Sequence, residues 1–177
     1  MTEKNSNLAE KLDNEFSREV SGNQFLTFML GGEYYGVEIL QVQEIKAWTP
    51  VTKVPNTPAS IKGVLNLRGE IVPIIDMRAL FGLEHSEYTS LTVIIVLSLQ
   101  DDAGKARTIG IVADSVSDVA DISEGDIKPT PELGEDIKTD FISNVATVDN
   151  KMVMLLNIML LIDTSSIDAA LEKSKEE

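Results

Sequence analysis

The sequence predicts a mainly β protein built as two small five-stranded barrels packed side by side, and three observations lead there. About ten short apolar stretches are separated by Gly and Pro signals, with only brief helical patterns between them, a pattern that favours barrels or sandwiches. The second observation is an internal repeat: Ile61–Phe81, IKGVLNLRGEIVPIIDMRALF, lies over Ile142–Ile162, ISNVATVDNKMVMLLNIMLLI, 81 residues later and without a gap. Val64 falls on Val145, Leu67 on Val148, Arg68–Gly69 on Asp149–Asn150, Asp76 on Asn157 and Leu80 on Leu161. Upstream, Tyr35–Ile45 lies over Ile109–Val119 in the same order, with Gly36 on Gly110 and Val42 on Val116. Self-similarity in this form marks a duplicated structural unit. The third observation is the nearly continuous apolar run Leu91–Leu99, LTVIIVLSL, expected as a fully buried strand feeding the core between the barrels.

In chain order, residues 1–22 are expected as a mobile N-terminal tail, with Leu8, Leu12 and Phe16 spaced for a nascent amphipathic helix. A single domain is expected over 23–163, its first unit over 23–82 and its second over 91–162, with strands free to cross between the barrels. Gln24–Leu30 is the first strand, Gly31–Gly32 a hairpin turn and Tyr34–Ile39 the second strand. A helical turn is expected near Leu40. Pro50, Pro55 and Pro58 break the next segment into an extended loop, with one helical turn over Pro58–Ile61. Gly63–Leu67 and Ile71–Ile75 flank Arg68–Gly69–Glu70 as a hairpin. Pro73 has no N–H to donate, so its strand is expected at an edge or with a bulge. Asp76 is placed to cap a one-turn helix over Met77–Phe81 that Gly82 ends. The polar stretch Leu83–Ser90 separates the halves. Thr108–Ala113 and Val116–Ile122 are strands of the second unit, Ser123–Asp140 is expected as a long loop, and Phe141–Val148 with Lys151–Leu156 is the last hairpin. Thr164 or Ser165 is expected to cap a final helix through Leu171, within a C-terminal helix and tail over 164–177.

Composition narrows the function. With 15 basic against 29 acidic residues the net charge is −14, the wrong sign for nucleic-acid phosphates or an anionic membrane surface. No cysteine is present, which excludes disulfides, thiolate metal sites and cysteine nucleophiles. The N-terminus has no signal-peptide apolar region, and the apolar stretches are too short to span a bilayer. A cytoplasmic protein is the expectation from these features.

Catalytic constellations are missing. His85, the single histidine, sits among Glu84 and Glu87 and reads as a solvated surface residue. No phosphate-binding loop, dinucleotide fingerprint, nucleophile elbow or calcium loop occurs. Asp76, Asp101, Asp102 and Asp114 remain as carboxylates that a fold could pair. For binding, Arg68 at the hairpin tip stands out, since a guanidinium makes forked bonds to a partner carboxylate. The residues alone favour the plainer reading, a solvated turn residue or an ion pair with Glu70 or Asp76. Glu44 and Lys46 flank Ile45 in an alternating segment that reads equally as an ordinary wet strand. Asp76 and Arg78 are placed to pair around the helix start. Trp48 is a core anchor or an interface aromatic, and Met152, Met154 and Met159 read as core filler.

The run VPNTPASIKGVLNLRGEIVPIIDMRALFG, Val54–Gly82, resembles the signature of the CheW family of chemotaxis coupling proteins. The resemblance extends upstream through Tyr35–Ile45 and downstream through RTIGIVADSVSDV, Arg107–Val119, and the terminal repeat, covering roughly Gln24 to Ile162. It implies two intertwined SH3-like five-stranded barrels with short helices. It implies a non-enzymatic adaptor, without cofactor or metal, that couples the cytoplasmic tips of methyl-accepting chemoreceptors to the regulatory domain of the histidine kinase CheA in arrays at the inner face of the membrane. Partner-binding residues are implied in the V-x-E-I segment (Val42, Glu44, Ile45), the I-x-G-V segment (Lys62, Gly63) and the NLRG turn (Asn66, Leu67, Arg68, Gly69). Asn144 stands where many members have Gly, and Asn157 where many have Asp, which puts local turn geometry in the second unit in question. The same domain occurs within the kinase and fused to a receiver, but 22 residues before Asn23 cannot hold those domains, so a stand-alone adaptor is expected. Two alternatives remain: a scaffold for a receptor–kinase pathway other than motility, and a ligand-binding or hydrolytic cleft between the barrels with buried carboxylates.

Overall fold

The computed structural model describes residues 24–100, 103–130 and 141–162. The stretch around Leu8 and Leu12, Asp101–Asp102, the 131–140 part of the acidic loop and the helix expected from Thr164 lie outside the described residues. Among the described residues eleven strands run in the order β1 (Gln24–Leu30), β2 (Glu33–Glu38), β3 (Val42–Ala47), β4 (Ile61–Leu67), β5 (Glu70–Asp76), β6 (Val93–Gln100), β7 (Ala106–Ala113), β8 (Ser115–Asp121), β9 (Ile127–Pro129), β10 (Ile142–Val148) and β11 (Lys151–Leu156). Helix α1 (Met77–Leu80) follows β5, and α2 (Ile158–Ile162) follows β11. The strands form a six-stranded sheet, β8-β1-β2-β11-β10-β9, and a five-stranded sheet, β3-β6-β7-β5-β4.

The repeat is reproduced element by element. Each hairpin, β4–β5 and β10–β11, is bulged at its start, between Ile61 and Gly63 in one copy and between Ile142 and Asn144 in the other. Both turns have two residues of positive φ, Arg68 (53°) and Gly69 (86°), Asp149 (49°) and Asn150 (61°), the conformation that matches strand twist across a two-residue loop. The Asp76 N–H donates to the Ser60 carbonyl and the Asn157 N–H to the Phe141 carbonyl, each at 2.7 Å. The substitutions at Asn144 and Asn157 therefore leave the turn geometry intact. Gly36 on β2 faces Leu155 of β11, and Gly110 on β7 faces Ile74 of β5, each at a close parallel strand pairing.

The copies are exchanged between the sheets. Strands β1 and β2 of the first copy pair with β8 and β11 of the second, while β6 and β7 of the second pair with β3 and β5 of the first. Each barrel is thus completed by the other half of the chain, and the polar stretch after Gly82 is a boundary in sequence only. Sheet order puts β3 and β4 at opposite ends, yet Glu44 of β3 lies 3.6 Å from Arg68 beyond β4. The sheet has curled until its edges meet.

This arrangement explains the apolar run. With the six-stranded sheet as the first barrel and the five-stranded sheet as the second, Ile94 and Val96 of β6 point into the second barrel with Val72 and Ile74, while Ile95 and Leu97 point the other way, into a core shared by both barrels. The shared core adds Phe28, Tyr35, Met77 and Ile158, and the first barrel has its own interior around Phe25, Ile122 and Val153. A strand buried on both faces needs no polar alternation.

Several expectations are corrected. The strand expected from Leu91 starts at Val93, and Leu91 is 67% exposed because a turn from Thr89 to Thr92 holds it outward. Pro73 lies on an interior strand, so the expected edge is overturned, although the β4–β5 pairing is bulged beside it, opposite Ile74 and Ile75. The residue opposite Pro73, Val64, exchanges both backbone hydrogen bonds with Thr52, and the parallel ladder to β7 begins only at Ile74, so no partner demands an N–H from the proline. Ser123–Asp140 is not all loop, since it carries a 3-10 turn at Glu124–Asp126 and β9. Pro58–Ile61 is a single hydrogen-bonded turn, not a helix turn. Met152 is no core filler: it lies near the start of β11 and is 64% exposed.

Candidate partner-binding site

The β4–β5 turn is built by its own residues. Asn66 Oδ1 accepts a hydrogen bond from the Gly69 N–H at 2.9 Å, and Leu67 packs against the second barrel's interior. These contacts leave the Arg68 side chain 81% exposed. Its ion-pair partner is Glu44, not Glu70 or Asp76 as the sequence suggested, because barrel closure brings β3 beside the turn. The V-x-E-I segment and the NLRG turn thus form one surface. Ile45, next to Glu44, is 44% exposed.

The structure does not bring the remaining predicted residues to this tip. Val42 packs against the shared core at the start of β3. Lys62 and Gly63 lie at the opposite end of β4, roughly 20 Å along the strand from Arg68. Gly63 is required by close approach: a Cβ there would stand 2.3 Å from the Thr52 carbonyl oxygen. Lys62 places its Nζ 5.1 Å from the centre of the Tyr88 ring, and Trp48 stacks on the same ring at 4.0 Å. Tyr88 therefore straps the linker onto the second barrel. Nothing in the linker's polar sequence signalled this, since a lone aromatic in such a stretch has no periodic partner.

Two of the carboxylates that the sequence left open for pairing, Asp76 and Asp114, do not pair with each other and have structural partners. Asp76, 8% exposed, caps α1 by accepting the Arg78 N–H at 3.0 Å. The Arg78 guanidinium turns away from it to Asp114, with Nε and Nη2 at 2.9 and 2.6 Å from the two carboxylate oxygens. Asp114 also accepts the Gly31 N–H at 2.9 Å. Burial alone would raise the Asp114 carboxyl, but the hydrogen bonds from Arg78 and Gly31, with the Arg78 charge, leave it below its ordinary value. Among the described residues no group of three or more His, Asp or Glu is placed to hold a metal ion, and no helix is long and apolar enough to cross a membrane.

A double β barrel with a shared core, whose exposed arginine turn is held by its own backbone and a neighbouring strand, is a binding module of the adaptor class. Residues 24–166 match the CheW-like domain model. The chain is 41% identical over 149 residues to Chemotaxis protein CheW of Klebsiella aerogenes, covering 84% of this chain and 87% of that protein. It is 35% identical to Chemotaxis protein CheW of Rhizobium meliloti, covering 84% and 93%. The crystal structure of the scaffolding protein TtCheW from Thermoanaerobacter tengcongensis superposes with a TM-score of 0.72 at 30% identity, covering 82% of this chain and 90% of that one. The chain belongs to the CheW family of chemotaxis coupling adaptors, with the SH3-like double-barrel fold of that family.

Proposed function

We propose that this protein acts in the cytoplasm as a non-enzymatic coupler, binding the cytoplasmic tip of a methyl-accepting chemoreceptor and the regulatory domain of a CheA-type histidine kinase. The single observation that carries this reading is the tip at which Glu44, Ile45, Asn66, Arg68 and Gly69 converge. An exposed guanidinium positioned by one carboxylate keeps donors for another, and an exposed apolar side chain beside it supplies area. Val42, Lys62 and Gly63 shape the strands that present this tip. The domain responsible spans 23–163. Signal passes by differential binding: receptor states that favour or disfavour the ternary contact shift the kinase between active and inactive populations. The acidic surface steers encounter with basic patches, so association weakens with salt.

The test is kinase autophosphorylation with receptor-bearing membranes, with and without this protein. Activation requiring all three components is expected. Arg68→Ala should lower it by about 10-fold or more while moving the melting temperature by less than about 2 °C, because an exposed ion pair contributes about 0–1 kcal/mol. No activation with cognate partners, or equal losses of coupling and stability, refutes the assignment.

A further inference from the structure

The two barrels are copies, and their mouths differ. In the second barrel Glu44 and Arg68 span the seam between β3 and the β4–β5 turn. The repeat puts Asp118 at the place of Glu44 and Asp149 at the place of Arg68. Backbone geometry recurs, with φ of 53° at Arg68 and 49° at Asp149. The exposed apolar neighbour recurs too: Ile45 and its counterpart Val119 are each 44% exposed. The arginine does not recur, so the first barrel's seam carries a carboxylate on each side.

A cavity of about 490 Å³ opens at this mouth, and its charged lining is Asp118, Asp121, Asp149 and Lys151, beside Thr27 and Tyr34. Smaller side chains on its wall leave room, since Ala120 and Val148 stand where the other barrel has Lys46 and Leu67. Lys151 donates from Nζ to the Tyr34 hydroxyl at 3.0 Å, with the ammonium 4.8 Å from the ring centre. That lysine is held against the β2 wall. Asp118 Oδ1 accepts its neighbour's Val119 N–H at 2.7 Å. Three carboxylates thus share the cavity with one ammonium.

We propose that the first barrel's mouth is a second docking site, one that receives an arginine side chain from a partner protein in the role that Arg68 fills within the second barrel. A guanidinium can fork between carboxylates as an ammonium cannot, and its aliphatic stem suits Val119, Ala120 and Val148. The second barrel supplies the template: counterpart strands, a counterpart turn and a carboxylate at the matching position, with the arginine provided in cis. The partner's arginine provides it in trans. This adds a contact to the adaptor reading without depending on which receptor or kinase is cognate.

The full-length ¹⁵N-labelled chain is titrated with acetyl-Gly-Arg-Gly-amide, and separately with the peptides carrying neutral citrulline or lysine in place of arginine. Saturable shifts are expected at the amides of Val119, Ala120, Asp149 and Lys151, with the citrulline peptide weaker by about 5-fold or more. Asp149→Arg supplies the missing side chain from within, at a φ that arginine already adopts at Arg68, and should abolish the response. Asp149→Asn, which suits the same backbone, should weaken it and covers a failure of the first variant to fold. Equal responses to citrulline or lysine, shifts confined to other surfaces, no shifts, or an undiminished response in both variants would each overturn the proposal. Neither receptor nor kinase is in the tube, so failure here leaves the coupling experiment untouched, and failure of coupling leaves this one standing.

Discussion

Asp114→Asn should destabilise this protein by about 2 kcal/mol at neutral pH and far less in acid. Asp114 stands between β7 and β8, where the chain leaves the five-stranded sheet for the six-stranded one. Its N–H donates to Met29 of β1 at 2.9 Å, and its carboxylate takes the Arg78 fork and the Gly31 N–H. Arg78 in turn donates from Nη1 to the Glu84 carbonyl at 2.9 Å. The Asp114–Arg78 pair thus joins the crossover, the β1–β2 turn, α1 and the linker. Breaking a buried ion pair on one side costs about 3–5 kcal/mol and an exposed one about 0–1. The side chains are 21% and 33% exposed, which places the loss between those limits. For a chain of this length the melting temperature should fall by about 4–8 °C. The carboxyl is lowered in the folded state, so its contribution is complete above the ordinary carboxylate value and fades as pH falls through the folded-state one. The gap in urea midpoint between the two proteins should therefore hold from neutral pH down to the ordinary carboxylate value and narrow below it. A gap that stays constant with pH, or a melting shift below about 1 °C at pH 7, would refute the reasoning.

The close approaches and the exchange of copies give two further expectations. Gly63→Ala should cost about 3 kcal/mol or more, because its Cβ meets backbone at 2.3 Å. Gly36→Ala should cost about 1 kcal/mol, because its nearest neighbour at 3.0 Å is the yielding tip of Leu155; comparable urea midpoints for the two would contradict the geometry. A fragment ending at Gly82 should stay unfolded by circular dichroism and fold cooperatively on mixing with the remainder of the chain, since β1 and β2 find their outer partners only in the second half. A stable barrel from the first fragment alone would show that the exchange is not needed.

Much of this fold was legible in the sequence because it rests on short-range physics. Turn residues, strand spans and the α1 cap are set within a few residues of themselves, and the duplication places β10, β11 and α2 where β4, β5 and α1 predict them. The Arg68 tip was visible for the same reason, as a polar turn between apolar strands. The Asp149 substitution at the other tip was also readable, but its meaning was not, because Arg68 had no known partner. Tertiary structure alone decided which half completes which barrel, since apolar strands of equal length and pattern do not name their neighbours. It alone decided that Arg68 meets Glu44 and Arg78 meets Asp114, because those pairs are brought together by barrel closure and by the crossover, across 24 and 36 residues of chain. It also decided that Pro73 is harmless on an interior strand and that Met152 and Leu91 are exposed, because each depends on where a strand pairing begins or stops.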